Sequence, residues 1–351
     1  MENVKLIHVI YDGIDNPVFD SQVAQPLAHL ARKHSSPALL ITFEHQHPST
    51  ERIQEFINRY PCITIKILKK YRFWGMWSLR YAQIQLQKVL APLPSYSIRA
   101  RGPIAGWLCL KAVSPLACKK LIIQARGLLA AEYEYTHHLH RLRGIRTWLP
   151  RLRLLIFKRL ERVTYHKSSQ TRIPVTIEAV SPALQEHLIR QFDLNPKNCT
   201  IARHDVPKHI DTAQRLIWRS AMRQQLNISE STNVFCYNGS VKPWQCPQET
   251  VALFQQQFLQ HPESFLLVLT QDTVAFLTII QRYHIPRSHY RVIHVPHHEV
   301  CMHLSACDVG ILLREQHLMN WISRPTKALE YRAAGMRILH NNTVSYLIEN
   351  C

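Results

Sequence analysis

Short apolar runs rich in β-branched residues recur about every 25 to 35 residues along most of this chain, with helix-length stretches between them. Strands buried on both faces read as continuous apolar runs, and parallel neighbours need a crossover long enough to hold a helix. The alternation therefore predicts parallel βα units and an α/β fold. In the first half the runs are residues 4–11, 38–43, 63–68, 97–101, 121–125, 175–180 and 200–203, enough for one doubly wound sheet of seven strands. Turn and cap residues mark helices between them: Asp15-Asn16-Pro17 opens a segment carrying Val23, Leu27 and Leu30, and Ser181-Pro182 opens one carrying Leu184, Leu188 and Phe192.

A polar, helix-like stretch at 211–227 separates this half from a second series of runs at 234–237, 265–269, 291–295, 309–313 and 337–339. The expected organisation is a Rossmann-like domain over 1–210, a linker or crossing helix over 211–231, and a second Rossmann-like domain over 232–351. Two such domains facing across a cleft bring the carboxyl ends of their strands, where open α/β sheets bind ligands, to one gap.

Composition narrows the setting. The apolar share of 46% suits ordinary globular cores. The nine cysteines are odd in number and never spaced as C-x-x-C, so neither a disulfide framework nor structural zinc is expected, and a reducing, cytoplasmic compartment is. The amino-terminal residues run into a strand without a signal-peptide pattern, and the apolar stretch 104–123 is broken by Lys111, Lys119 and Lys120. The pairs His137-His138 and His297-His298 have no carboxylate or cysteine at ligand spacing, so no metal is expected. A formal charge of +19 favours polyanionic partners.

The stretch from Cys307 to Gly335 carries the most chemistry. It reads as a buried strand, a polar loop beginning at Arg314, and a short helix that starts near Pro325 and stops at Gly335. Ser323 is the expected cap, and the helix amino terminus is suited to a diphosphate. Lys327 and Glu330 are three residues apart and share a face, so an ammonium can meet phosphate while a carboxylate accepts from ribose hydroxyls.

These residues resemble the donor-site segment of glycosyltransferase family 4, retaining enzymes of GT-B fold that use nucleotide sugars. The resemblance rests on Ala-Cys-Asp-Val-Gly-Ile-Leu-Leu-Arg-Glu and Ser-Arg-Pro-Thr-Lys-Ala-Leu-Glu-Tyr-Arg-Ala-Ala-Gly. It implies that Glu330 is the second glutamate of the family's Glu-(seven residues)-Glu motif and holds the donor ribose; Ile322 stands where the first would be. Tyr237-Asn238-Gly239-Ser240 resembles the family's glycine turn. The Arg and Lys that usually follow it are Ser240 and Gln245 here, which leaves Lys242, with Arg314 expected to share the missing charge.

On the acceptor side the resemblance implies roles for Asp12 and Gly13 after the first strand, and for Arg101, Arg126 and Glu132 at two further strand ends. A GT-B second domain usually continues through another βα unit, so this one is expected to be incomplete. The implied activity is hexosyl transfer, without cofactor or metal, from a nucleotide diphosphate sugar to a saccharide or lipid-linked acceptor in cell-surface glycan synthesis.

Residues 141–172 carry many arginines and lysines against Glu161 alone, with Leu149, Leu152, Ile156, Leu160 and Val163 near helical spacing. Core packing accounts for that apolar stripe, while the charge suits an anionic membrane surface and a peripheral location at its inner face. Two other readings stay open: a non-catalytic GT-B scaffold, and a basic nucleic-acid-binding protein, for which no motif is present. A nicotinamide enzyme is disfavoured because Asp12-Gly13-Ile14-Asp15 is not G-x-G-x-x-G.

Overall fold

The computed structural model describes residues 5–16, 19–72, 75–137, 148–168, 170–202 and 210–349. Val4, Pro17, Val18, His138, Arg141, Arg143, Arg146, Arg203 and the last two residues lie outside that set. The chain divides into two compact units, Met1–Asp205 and Val206–Cys351.

The first unit holds strands β1 (Lys5–Ile10), β2 (Ala38–Glu44), β3 (Ile63–Lys69), β4 (Tyr96–Arg101), β5 (Cys118–Ala125), β6 (Val175–Ala179) and β7 (Cys199–Ile201). They form one parallel sheet in the order β3-β2-β1-β4-β5-β6-β7. Its helices are α1 (Gln25–Lys33), α2 (Thr50–Arg59), α3 (Met76–Leu90), α4 (Gly102–Ala112), α5 (Leu129–Thr136), α6 (Trp148–Ser168) and α7 (Pro182–Phe192). The seven expected strands are the seven observed, within a few residues at their ends. β2, inside the sheet, is buried at every position, whereas β3 at the edge alternates and exposes lysines, which discourages further pairing. α4 is buried almost all round, and Gly106 permits this: a β-carbon there would lie 2.9 Å from Ile123 Cγ2 and 3.1 Å from Thr164 Cγ2.

The second unit holds β8 (Val234–Asn238), β9 (Phe265–Leu269), β10 (Tyr290–Ile293), β11 (Val309–Leu312) and β12 (Arg337–His340), parallel and ordered β10-β9-β8-β11-β12. Its helices are α8 (Thr212–Leu226), α9 (Pro247–Gln260), α10 (Thr273–Ile280), α11 (Val300–Ser305), α12 (Leu318–Trp321), α13 (Thr326–Ala333) and α14 (Ser345–Ile348). Two apolar clusters pack this sheet, one around Cys236, Leu267 and Tyr331, the other around Phe235, Phe254 and Phe276. In both units the strand order reverses beside the first strand, between β1 and β4 and between β8 and β11, so the adjacent loops diverge at those strand ends.

α8 is capped at one end by the Asp211 carboxylate, which accepts from the amides of Ala213 and Gln214, and at the other by Asn227 in the left-handed region. It is held to the second sheet by Arg223, which is fully buried. Arg223 donates to Asp308 Oδ2 at 2.8 Å and to the carbonyls of Ala306, Ser229, Glu230 and Thr232 at 2.7–3.0 Å. Asp308 in turn accepts from Arg219 and from the Val234 amide, both at 2.8 Å, and so joins α8 to the starts of β8 and β11.

Two sequence expectations about helices are corrected. The segment opened by Asp15-Asn16-Pro17 becomes helical only at Asp20, in a π turn after Phe19, although Val23, Leu27 and Leu30 are buried as expected. The stripe on α6 assigned to packing is mostly outside the core: Leu149 and Leu152 are exposed and Ile156 is half-buried. The packed face is Leu154, Phe157, Leu160, Thr164 and Tyr165. α6 is apolar on two opposite sides, and spacing alone does not say which one meets the sheet.

Candidate functional site

In the second unit the site is built on the carboxyl ends of β8 and β11 and on α13. β8 ends at Asn238, and the Gly239 amide donates to the Leu269 carbonyl at 2.9 Å. A β-carbon at Gly239 would collide with Lys327 Nζ and Gln245 Oε1, so glycine is what lets the Lys327 ammonium reach this backbone. Lys327 donates to Gln245 Oε1 and lies 5.7 Å from the centre of the Tyr237 ring. Gln245 donates onward to Ser240 Oγ at 2.8 Å, and Tyr237 OH to the Ser240 carbonyl at 2.7 Å.

Glu330, buried one turn along α13, accepts from Asn238 Nδ2 at 2.8 Å. Its neighbour Tyr331 lies flat against Gly310, where a β-carbon would strike the ring, and its hydroxyl accepts from the Asn238 amide at 2.9 Å. Both residues therefore clamp α13 onto the end of β8.

Arg314 is buried where β11 gives way to its loop, and its backbone is fixed by Asn341 and Thr343. Its Nη1 donates to the Leu313 carbonyl at 2.9 Å. Burial lowers the Arg314 pKa. Burial first, then repulsion from Arg314, pushes the Lys327 ammonium well below the usual lysine range, with Glu330 acting in the opposite sense. Among the described residues, neither cation forms a salt bridge; their bonds are to Gln245, a carbonyl and an aromatic face. Lys327 is thus the cation at the glycine turn, and Arg314 is near enough to act on it electrostatically.

The remaining predicted donor residues are less central. Lys242 is exposed, 5.1 Å from the Trp244 ring centre, and Ser240 is half-buried in the Gln245 network. Ser323 does not cap α13. Its hydroxyl donates back to the Asn320 carbonyl at 2.8 Å, and Pro325, which has no side-chain donor or acceptor to offer, occupies the cap position. The helix after the glycine turn starts only at Pro247, behind a 3-10 turn at Pro243–Gln245, so its first turn is not next to Gly239 in sequence.

In the first unit, Asp12 and Arg101 meet: Arg101 Nε donates to Asp12 Oδ2 at 2.9 Å and Nη2 to Gln22 at 2.8 Å, while its buried Nη1 has no partner among the described residues. Gly13 has φ +81°, and a β-carbon there would lie 2.7 Å from Glu44 Oε2. Glu44 Oε1 accepts from the Ile14 amide at 2.9 Å and from Thr42, which fixes the turn. Glu132 is exposed with its carboxylate against Gly127, and Arg126 is half-buried at the end of β5.

Sequence reasoning missed a buried polar layer beside these residues. Arg99 pairs with Glu178, and His8 and Gln124 line the same narrow pocket. Burial, then the fields of Arg99, Arg101 and Arg126, hold the His8 pKa down at about 3, so its ring is neutral near pH 7. Polar residues at inward positions of β1, β4, β5 and β6 were the available signal, since the continuous apolar runs around them concealed it. Among the described residues no three His, Cys, Asp or Glu side chains cluster as a metal site, and no helix is long and apolar enough to cross a membrane.

No protein-family model and no curated protein matches this sequence. Solved structures do. The chain superposes on WaaG, a glycosyltransferase involved in lipopolysaccharide biosynthesis, with a TM-score of 0.64 at 14% identity, over 99% of this chain and 83% of that one. The fold is of the GT-B type. It is shared with a mutant of S. aureus TarM, solved with fondaparinux, alpha-GlcNAc-glycerol and UDP (TM-score 0.60, 7% identity, 96% of this chain and 85% of that chain). A putative UDP-N-acetylglucosamine 2-epimerase from Listeria monocytogenes also matches (TM-score 0.54, 9% identity, 89% and 74%). At such identities the likeness is one of fold, and the GT-B architecture carries more than one reaction on nucleotide sugars.

Proposed function

We propose that this chain is a retaining glycosyltransferase of family 4 type, moving a hexosyl unit from a nucleotide diphosphate sugar to a saccharide or lipid-linked acceptor in cell-surface glycan synthesis. The observation that carries the reading is a pair of buried cations without a salt bridge among the described residues: Lys327, which reaches the Gly239 turn one helical turn before the Glu330 carboxylate, and Arg314, which acts on it electrostatically. A diphosphate supplies the charge that the cations lack, and a ribose diol suits a buried carboxylate. In this reading Lys327 and Arg314, with Lys242 at the rim, stabilise negative charge on the departing diphosphate, and Glu330 fixes the nucleoside. Asp12, Gly13, Arg101, Arg126 and Glu132 border the acceptor. The protein works at the cytoplasmic face of a membrane.

Thermal unfolding against a panel of nucleotide sugars tests this. A ligand at a hundred times its Kd stabilises by about 2.7 kcal/mol, and at least one sugar nucleotide is expected to do so. The epimerase likeness favours a second reading, sugar epimerisation. Incubating the stabilising donor with and without oligosaccharide or lipid acceptors separates the two: transfer needs the acceptor, whereas an epimerised nucleotide sugar appears without it.

A further inference from the structure

α6 turns about 100° per residue, and Leu154, Phe157, Leu160 and Tyr165 pack one side of it into the first unit. On the opposite side Trp148, Leu149, Leu152 and Leu155 occupy an arc of roughly 120° and are all exposed, Leu155 at 62%. A soluble helix normally keeps that side polar. Beside it, Ile156 lies at the start of α3: a β-carbon on Gly75, the residue capping α3, would be 3.8 Å from Ile156 Cδ1. α3 adds Trp77, 81% exposed and two residues further on, and Tyr81, which packs edge-on against Tyr71 with ring centres 4.8 Å apart.

On these two helices the exposed charges have one sign; the acid at their border is Glu134 of α5, 3.8 Å from Lys158. Arg80 on α3 and Arg151, Arg153, Arg159 and Arg162 on α6 are exposed. Neither helix carries an exposed acid: α3 has no Asp or Glu, and Glu161 of α6 is buried. Glu161 lies at the first turn of α5, accepting from the Leu129 and Ala130 amides. Leucine and tryptophan bordered by arginine, with no exposed acid on either helix, match the interface of an anionic bilayer, where the apolar side chains enter the acyl boundary and the guanidinium groups meet lipid phosphates.

We infer that α3 and the first half of α6 form one docking surface for an anionic lipid bilayer, with Trp77, Trp148, Leu152 and Leu155 as its inserted anchors. This deepens the peripheral placement proposed above and is independent of the nucleotide site.

The test is co-sedimentation of the full chain with vesicles of phosphatidylcholine alone or with about one-third phosphatidylglycerol. The expected result is partition onto the anionic vesicles, at least about tenfold weaker on phosphatidylcholine and about tenfold weaker again for the L152S/L155S double variant. Melting temperatures check that the variants fold, and Trp77→Ser, on the other helix, gives an independent reading. R151Q/R153Q should lose the preference for anionic lipid. Equal partition of wild type and variants overturns the proposal. So does absence of vesicle binding together with self-association that L152S/L155S abolishes, since the face would then bind a second copy of the chain. Nucleotide-sugar stabilisation, measured on the same variants without vesicles, should be unchanged; its absence in the wild type as well would count against the donor reading and not against this surface.

Discussion

Asn238 donates to Glu330 across 2.8 Å, joining the end of the first strand of the second unit to the helix that carries Lys327. Glu330 is therefore both a brace and the proposed ribose ligand, and the two roles separate in Glu330→Gln. The glutamine amide still accepts from Asn238, so stability should stay within about 1 kcal/mol of wild type. It is a weaker acceptor for a diol than a carboxylate, and losing a charge-assisted bond of about 1.5–3 kcal/mol should weaken nucleotide-sugar binding by roughly 10–100-fold. Thermal unfolding and a competition titration read the two effects independently.

Lys327 should make nucleotide binding pH-dependent across the window between its lowered folded pKa and the usual lysine value. Its folded pKa lies below its unfolded one because burial and Arg314 disfavour the charged form. Between those values the unfolded chain holds more protons, so this group's contribution makes stability rise with pH across that window. A bound diphosphate restores the charge, so binding takes up a proton there and affinity falls as pH increases. Lys327→Met should bind weakly at every pH and lack the slope. A Kd series across that window, on both proteins, checks this.

Two glycines next to the site should fail in different ways. Gly239→Ala presses on the far ends of Lys327 and Gln245, which can swing aside, so the fold should survive while nucleotide affinity drops about tenfold or more. Gly310→Ala drives a β-carbon into the Tyr331 ring, which is wholly buried, and should destabilise by about 1–3 kcal/mol. Denaturant melts with a binding assay distinguish the outcomes.

Arg223 should be among the costliest residues to replace. Arg223→Met abandons four carbonyls and one oxygen of Asp308, and about 3 kcal/mol or more should be lost in urea unfolding. Arg219 and Asp308 remain paired at 2.8 Å, so Arg219→Met should cost less.

The strands were legible because each is a short apolar run between turn signals; β9 is buried at all five positions and has the bounds its sequence predicts. Spacing put Lys327 and Glu330 on one face of a helix, since three residues is about one turn, whereas the place of Gly239 beside them was implied by the family resemblance and not by spacing. Ser323 was misassigned because a hydroxyl two residues before a proline looks like a cap, whereas here it satisfies the Asn320 carbonyl of the preceding turn. Arg223 was invisible for a different reason: its partners, Ser229 to Thr232, Ala306 and Asp308, are distant in chain or lie on backbone that composition does not reveal. α6 was misread because a helix with two apolar sides offers spacing a choice that only packing resolves.

The most direct test of the donor site is calorimetric titration of the unaltered protein and of Glu330→Ala with a series of nucleotide diphosphate sugars. Saturable binding of at least one of them by the wild type, and none by the variant, is expected. No heat with any of the series, or equal affinity in the variant, would contradict it.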